Sequence, residues 1–150
     1  MMKDLSLGID TSNYKTSVAL VNSYGEILYN YQKFLDVKDG ALGLRQQEAF
    51  FQHVQKLPEP LTEVLSEFRD RIGIVSASSR PRPVKGSYMP VFTAGTGQAK
   101  TIATALGVPY KEYSHQEGHF EAIRFYSPYG DVNPQIFFHF SGGLKKHEFS

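Results

Sequence analysis

The chain has 150 residues, of which 41% are hydrophobic and 21% are charged, and this composition is ordinary for one soluble globular domain. The formal net charge of +1 excludes a global attraction to nucleic acid or to an anionic membrane, so any such binding must come from a local patch. The chain has no cysteine, which excludes a disulfide framework and a thiolate metal site, and no apolar stretch reaches membrane-spanning length. We therefore expect a single cytoplasmic domain that does not enter a membrane.

Three short strands joined by turns are predicted at the start of the chain. Apolar runs occupy residues 5–10 and 17–21, and residues 26–32 alternate in β-type side chains after a polar turn. Asp10, Thr11 and Ser12 follow the first strand directly. Their hydroxyl and backbone N–H groups either contact a phosphate or form a local Asx or Ser/Thr turn, and the residues alone leave both interpretations open.

Two helices are predicted next, at residues 44–55 and 61–68, from the helical spacing of their apolar positions. The Leu-Pro-Glu-Pro sequence at residues 57–60 is expected to break or kink the chain between them, because proline has no N–H to donate. His53 lies in the first of these helices. We interpret it as a packed or solvated residue rather than as a ligand.

A buried strand is predicted at residues 71–77, followed by an irregular loop at residues 78–87 that carries Arg80, Arg82 and Lys85. Three cations could hold a phosphate or a tRNA backbone, but a solvated charged loop is the favoured interpretation. Residues 91–106 form a helix-like run that ends at Gly107. Its many small side chains indicate close packing on a sheet rather than a close approach to a ligand.

Two histidines follow a predicted strand at residues 108–113. His115 and His119 are four residues apart, so in a helix they lie on one face and form half of a metal site. Glu117 is two residues from each, about 200° around the helix, and therefore faces away from such a metal. Together with Ser114 it fits a capping box instead. The alternative for the histidines is a solvated start of a helix.

A third candidate ligand is His139, in a last predicted strand at residues 135–140. An imidazole at a strand end beside a two-histidine helix would complete a three-ligand metal set. The alternative is a hydrogen-bonded residue of the sheet. The order of strands and helices along the whole chain implies a mixed sheet covered by helices.

Four segments of the chain together resemble the glycoprotease-like family. They are Asp-Thr-Ser at residues 10–12, the sequence at residues 40–54, His-Gln-Glu-Gly-His at residues 115–119, and Ser-Gly-Gly at residues 141–143. The family includes the tRNA threonylcarbamoyladenosine synthases, and the resemblance is to its amino-terminal half. It implies an α/β fold, namely an actin-like (ribonuclease-H-like) lobe with a mixed sheet of about five to six strands flanked by helices.

The same resemblance implies a site and a reaction. A divalent metal, iron or zinc, would be held by His115 and His119, and His139 falls where some family members place a tyrosine ligand. Ser141, Gly142 and Gly143 would lie near the phosphates of an adenine nucleotide. We expect Asp10, Thr11 and Ser12 to contribute to the same nucleotide or substrate site. The reaction implied is transfer of a threonylcarbamoyl group from its adenylate to adenosine in tRNA, with the metal as a Lewis acid.

The chain also departs from the family, whose members have a second lobe. The sequence ends about where that lobe should begin, so we expect residues 1–150 to form a single amino-terminal lobe that binds metal but has little activity alone. A non-catalytic interaction module that pairs with a second copy or with a paralogous subunit is the alternative. A glycoprotein endopeptidase is disfavoured, because Glu117 does not lie beside the first histidine.

Overall fold

The computed structural model describes residues 2–12, 14–37, 46–80 and 90–114. These residues form five strands and three helices, with single 3₁₀ turns at Arg69–Arg71 and Pro90–Phe92. The elements in chain order are β1 (Leu5–Asp10), β2 (Lys15–Asn22), β3 (Ile27–Phe34), α1 (Gln46–Lys56), α2 (Pro58–Phe68), β4 (Ile72–Arg80), α3 (Thr93–Leu106) and β5 (Tyr110–Ser114).

The five strands form one mixed sheet in the order β3-β2-β1-β4-β5. The first three strands are an antiparallel meander, as predicted, and the turn between β2 and β3 is closed by Asn22, whose side-chain oxygen accepts from the backbone N–H of Glu26 at 2.8 Å. β4 runs parallel to β1, and β5 runs parallel to β4. Because parallel neighbours need a crossover connection, α3 spans the sheet between β4 and β5.

The helices pack on one face of the sheet. Because side chains alternate along a strand, Leu5, Leu7 and Ile9 of β1 all point to that face, where they join a buried cluster with residues of α2 and α3. The opposite face of the central strands carries smaller and more polar side chains that are also buried, among them Ser6, Asp10, Ala19, Ser76 and Ser78. The sheet therefore separates an apolar face from a polar one.

The predicted break between the first two helices is confirmed, but α2 begins at Pro58 rather than at residue 61. Proline is well tolerated at the first position of a helix, where its missing N–H would have no partner anyway. His53 of α1 is fully buried, and its Nδ1 lies 2.7 Å from the Thr16 hydroxyl. This confirms His53 as a packed residue. α3 ends at Leu106 and is capped by Gly107, whose φ of 68° suits a residue without a Cβ.

The prediction of a loop at residues 78–87 is wrong for residues 78–80. Ser78 and Arg80 belong to β4 and pair with Tyr113 and Ser114 of β5, so the strand is three residues longer than its apolar run indicated. The rest of that predicted loop lies outside the described residues. Among the helices of the described ranges, none is long and apolar enough to cross a membrane.

Candidate functional site

The carboxyl ends of three parallel strands meet at one edge of the sheet. β1 ends at Asp10, β4 at Arg80 and β5 at Ser114. α3 also begins at this edge, because it returns from the end of β4 to the start of β5. In open α/β sheets, ligands bind outside the carboxyl ends of the strands, so this carboxyl edge is the candidate site.

The Asp10 carboxylate is buried at the carboxyl edge and accepts hydrogen bonds from two neighbouring residues. Its Oδ1 accepts a hydrogen bond from the backbone N–H of Ser12 at 2.8 Å and another from the Ser78 hydroxyl at 2.8 Å. The first bond is an Asx turn, so the local-turn interpretation of this segment is confirmed. The second bond ties β1 to β4 across the parallel pair. Phosphate contact by Asp10, Thr11 and Ser12 stays a prediction.

Lys15 adds a positive charge beside this turn. Its partial burial lowers the pKa of the ammonium group, and the negative charge of Asp10 opposes that shift. Lys15 Nζ also lies 5.6 Å from the centroid of the Phe34 ring. A half-buried ammonium group is a suitable partner for an anion, because its attraction to a ligand is less screened than at a fully exposed site.

Thr11 fastens the start of α3 to the end of β1. Its side chain is fully buried, and its hydroxyl donates to the Val91 carbonyl oxygen at 3.1 Å and accepts from the Gly95 N–H at 3.2 Å. A Cβ placed on Gly95 would lie 3.1 Å from Thr11 Oγ1 and 3.2 Å from Ile9 Cγ2. The small residues of α3 therefore serve close packing on the sheet, as predicted.

The structure brings together Asp10, Thr11 and Ser12 of the predicted site. The other predicted site residues lie outside the described residues: His115, His119, His139, Ser141, Gly142 and Gly143. Ser114, which directly precedes the histidine motif in the sequence, is buried at the carboxyl edge. Within the ranges that the structure describes, no group of three or more His, Cys, Asp or Glu side chains could hold a metal ion.

Sequence reasoning missed Ser78 and Lys15 as neighbours of Asp10. Ser78 is 68 residues from Asp10 in the chain, so only the pairing of β1 with β4 brings them together. Lys15 begins β2, and it lies on the same face as Asp10 because residues 15 and 17 share a face and Ser17 pairs with Asp10. The hairpin of β1 and β2 was predicted from the sequence, so the position of Lys15 near Asp10 could have been found from it.

The strand order and directions define the class of protein: an α/β protein with a ribonuclease-H-like, actin-like fold, as the resemblance implied. The structure is similar to that of YeaZ from Pseudomonas aeruginosa, with a TM-score of 0.51 and 20% sequence identity over 74% of this chain and 43% of that chain. No family model matches the sequence.

Two relatives make the relationship more specific. The chain is 30% identical over 127 residues to the tRNA N6-adenosine threonylcarbamoyltransferase of Orientia tsutsugamushi (strain Boryong), covering 79% of this chain and 34% of that protein. The corresponding protein of Ehrlichia canis (strain Jake) is 31% identical over 125 residues, with 80% and 34% covered. These matches confirm the predicted resemblance, and this chain is a relative of the tRNA N6-adenosine threonylcarbamoyltransferases. It spans about a third of the length of the curated relatives that it matches.

The close contact of Thr11 with the start of α3 predicts that alanine substitutions of two glycines in this helix have opposite effects on stability. Gly95→Ala places a methyl group against Thr11, which is fully buried and cannot move without losing its hydrogen bonds, so we expect the free energy of unfolding to fall by about 1 kcal/mol. Gly97→Ala meets nothing within 4 Å, and the better helix former should raise that free energy by about 0.5 to 1 kcal/mol.

Urea unfolding of both variants and of the unchanged protein measures the two differences. A stabilising effect of Gly95→Ala equal to that of Gly97→Ala would show that α3 does not press on the end of β1.

Proposed function

We propose that this chain supplies the metal- and nucleotide-binding lobe of a cytoplasmic threonylcarbamoyl-transfer site that modifies adenosine in tRNA. One observation carries the proposal. The carboxyl edge holds both the Asp10–Ser12 turn and Ser114, the residue that directly precedes the histidine motif, in a chain related to threonylcarbamoyltransferases. The turn predicted to contact phosphate thus lies at the same edge of the sheet as the residue that precedes the predicted metal motif.

The metal would be held by His115, His119 and His139. Three neutral imidazoles form a donor set that suits iron or zinc, whereas magnesium and calcium prefer oxygen ligands. A bound divalent ion would supply Lewis-acid polarisation of the acyl donor. Ser114 is fully buried and pairs with Arg80 after a shift in register between Ser78 and Arg80, so the residue that precedes the histidine motif has a fixed position.

The residues of the first turn have separate roles in this proposal. A carboxylate and a phosphate repel each other, so Asp10 would act as a positioning residue that fixes the turn through Ser12 and Ser78. Lys15 would offer its ammonium group to the phosphate of the adenylate. Thr11 is already committed to α3, and it would hold the turn in place rather than bind the nucleotide.

The names of the relatives, tRNA N6-adenosine threonylcarbamoyltransferases, support the proposed reaction. Transfer needs a site that places the acyl group of an adenylate against the adenosine of tRNA, which is chiefly a task of orientation. Ser141, Gly142 and Gly143 would contribute backbone N–H groups to the phosphates in the manner of an anion-binding turn. Peptide hydrolysis is not proposed, because Glu117 stands at the wrong position of the motif to activate a metal-bound water.

Metal content tests the proposal. We expect the purified chain to hold iron or zinc, and His115→Ala and His119→Ala each to weaken metal affinity by on the order of 100-fold, because each removes a direct ligand. His139→Ala should weaken it as well.

His147→Ala is the matched control, since it removes a histidine that belongs to no predicted site. Elemental analysis after dialysis against a chelator measures the metal retained. Equal retention by all four variants would overturn the proposed metal centre.

A second candidate function is an interaction module that pairs with a second copy of this chain. The observation that favours it lies on α1, where Phe50, Phe51 and Val54 are 36%, 56% and 40% exposed. These residues follow helical spacing and share one face, so they present adjoining apolar side chains to the solvent. Burying such a face between two copies is a common way to remove apolar surface from water.

Sedimentation equilibrium tests this pairing. We expect the unchanged chain to form a dimer and Phe51→Glu to be a monomer, because the substitution would bury a charge between the two copies. Thr62→Glu introduces the same charge at an exposed position of α2 and should leave the dimer intact. A chain that stays monomeric at high concentration, or a Phe51→Glu variant that still pairs, would remove this candidate.

A further inference from the structure

The start of α3 is not capped by the residue that precedes it. Phe92 holds the cap position and makes no side-chain hydrogen bond to the first turn of the helix. Helix caps are usually Ser, Thr, Asp or Asn, whose side-chain oxygen accepts from the N–H of the second or third helical residue. The first N–H groups of a helix have no partner within it, so a buried first turn needs acceptors from other parts of the chain.

Thr11 supplies one of these acceptors. Its hydroxyl accepts from the N–H of Gly95, the third residue of α3, at 3.2 Å. This is the bond that a local cap would make, yet the two residues are 84 positions apart in the chain. The start of α3 is therefore capped by the first turn of the candidate site.

Gln46 of α1 holds the same region from the other side. Its side-chain oxygen accepts from the backbone N–H of Val91 at 3.1 Å. The carbonyl oxygen of Val91 accepts from the Thr11 hydroxyl, also at 3.1 Å. The backbone of this fully buried residue is thus fixed by α1 through its N–H and by the site turn through its C=O. Loss of either bond would leave a buried polar group unpaired, which is costly.

Apolar packing supports this contact between α1 and the start of α3. Ala49 lies three residues after Gln46 and therefore near the same face of the helix. It belongs to a buried cluster with Leu35, Val91 and Phe92. The position of the short turn before α3 thus depends on α1 through both a hydrogen bond and a buried contact.

Gln52 provides a comparison within the same helix. Its side-chain oxygen accepts from the Asp36 N–H at 2.7 Å, and its amide group donates to the Asp36 carbonyl oxygen at 2.9 Å. Gln52 therefore fastens the segment that follows β3, whereas Gln46 fastens the segment that precedes α3. The two glutamines let the effect of α1 on the candidate site be separated from its effect on the rest of the fold.

We propose that Gln46 is a positioning residue of the candidate site. It holds Val91, Val91 holds the Thr11 hydroxyl, and Thr11 sets the start of α3 beside the Asp10–Ser12 turn. This gives a role to part of residues 40–54, the segment of the family resemblance to which the proposed function assigns none. The effect on nucleotide binding rests on the proposed function, but the effect on the turn and on α3 does not.

Amide hydrogen exchange, followed by NMR on the isotopically labelled chain, tests the proposal. Gln46→Leu removes the acceptor, and we expect the amides of Gly95 and Ser12 to exchange about tenfold faster. Gln46→Glu keeps an acceptor oxygen and places a negative charge at the start of α1, where the helix dipole favours it, so exchange should stay slow. Gln52→Leu should speed exchange of the Asp36 amide and leave Gly95 and Ser12 unchanged.

The Asn22 amide serves as the internal reference, because it donates to the Glu26 carbonyl oxygen at 2.9 Å in the turn between β2 and β3. Its exchange should be the same in all variants. Unchanged exchange of Gly95 in Gln46→Leu would overturn the proposal. Equal acceleration of Gly95 by Gln52→Leu would also overturn it, since that result indicates a general loosening of α1.

Calorimetric titration with AMP measures the consequence for the proposed nucleotide site. We expect Gln46→Leu to weaken AMP binding several-fold and Gln46→Glu to bind as the unchanged chain does. AMP binding that is equally tight in Gln46→Leu would overturn the positioning role. If the unchanged chain binds no AMP, the nucleotide site of the proposed function fails, and the exchange of Gly95 and Ser12 alone decides the role of Gln46.

Discussion

The hydroxyl group of Thr11 holds the first turn of α3 against the last residues of β1, and the carboxyl edge of the sheet is built on this joint. The hydroxyl accepts from Gly95 and donates to Val91 within a fully buried environment. In such surroundings a hydrogen bond cannot be replaced by water, so loss of either partner leaves a costly unpaired group. Gly95 has no side chain, which allows the helix to come this close.

The alternation of side chains along β1 and β4 gives the carboxyl edge two chemically different sides. Asp10, Ser78 and Lys15 lie on the polar side, where one carboxylate organises the turn and one ammonium group offers a positive charge. Ser79 faces the other side, where it lines a cavity together with Thr96 and Lys100 of α3. The two sides therefore differ in chemistry within a few residues of sequence, since successive side chains point in opposite directions.

Much of this fold could be predicted from local patterns, because the β-meander, the break at Pro58 and the end of α3 at Gly107 depend on residues near each other in the chain. The extension of β4 to Arg80 could not be predicted in this way. The polar residues at the end of β4 stay in the strand only because they pair with β5. The same holds for the contact of Ser78 with Asp10, because these residues are 68 positions apart in the chain. The spacing of His115 and His119 suits half of a metal site and leaves a solvated start of a helix as the alternative, so the metal site stays a prediction.

The distance between a bound metal and the carboxyl edge is the most direct measurement of whether the histidine motif and the first turn form one site. A paramagnetic ion such as Co²⁺ or Mn²⁺, bound to the isotopically labelled chain, broadens the NMR signals of nearby backbone amides. We predict broadening for Ser12 and Ser78, with sharp signals for Asn22 and Ile72, which pair with Leu5 at the opposite edge of the sheet. Broadening of Asn22 and Ile72 while Ser12 and Ser78 stay sharp would contradict a shared site.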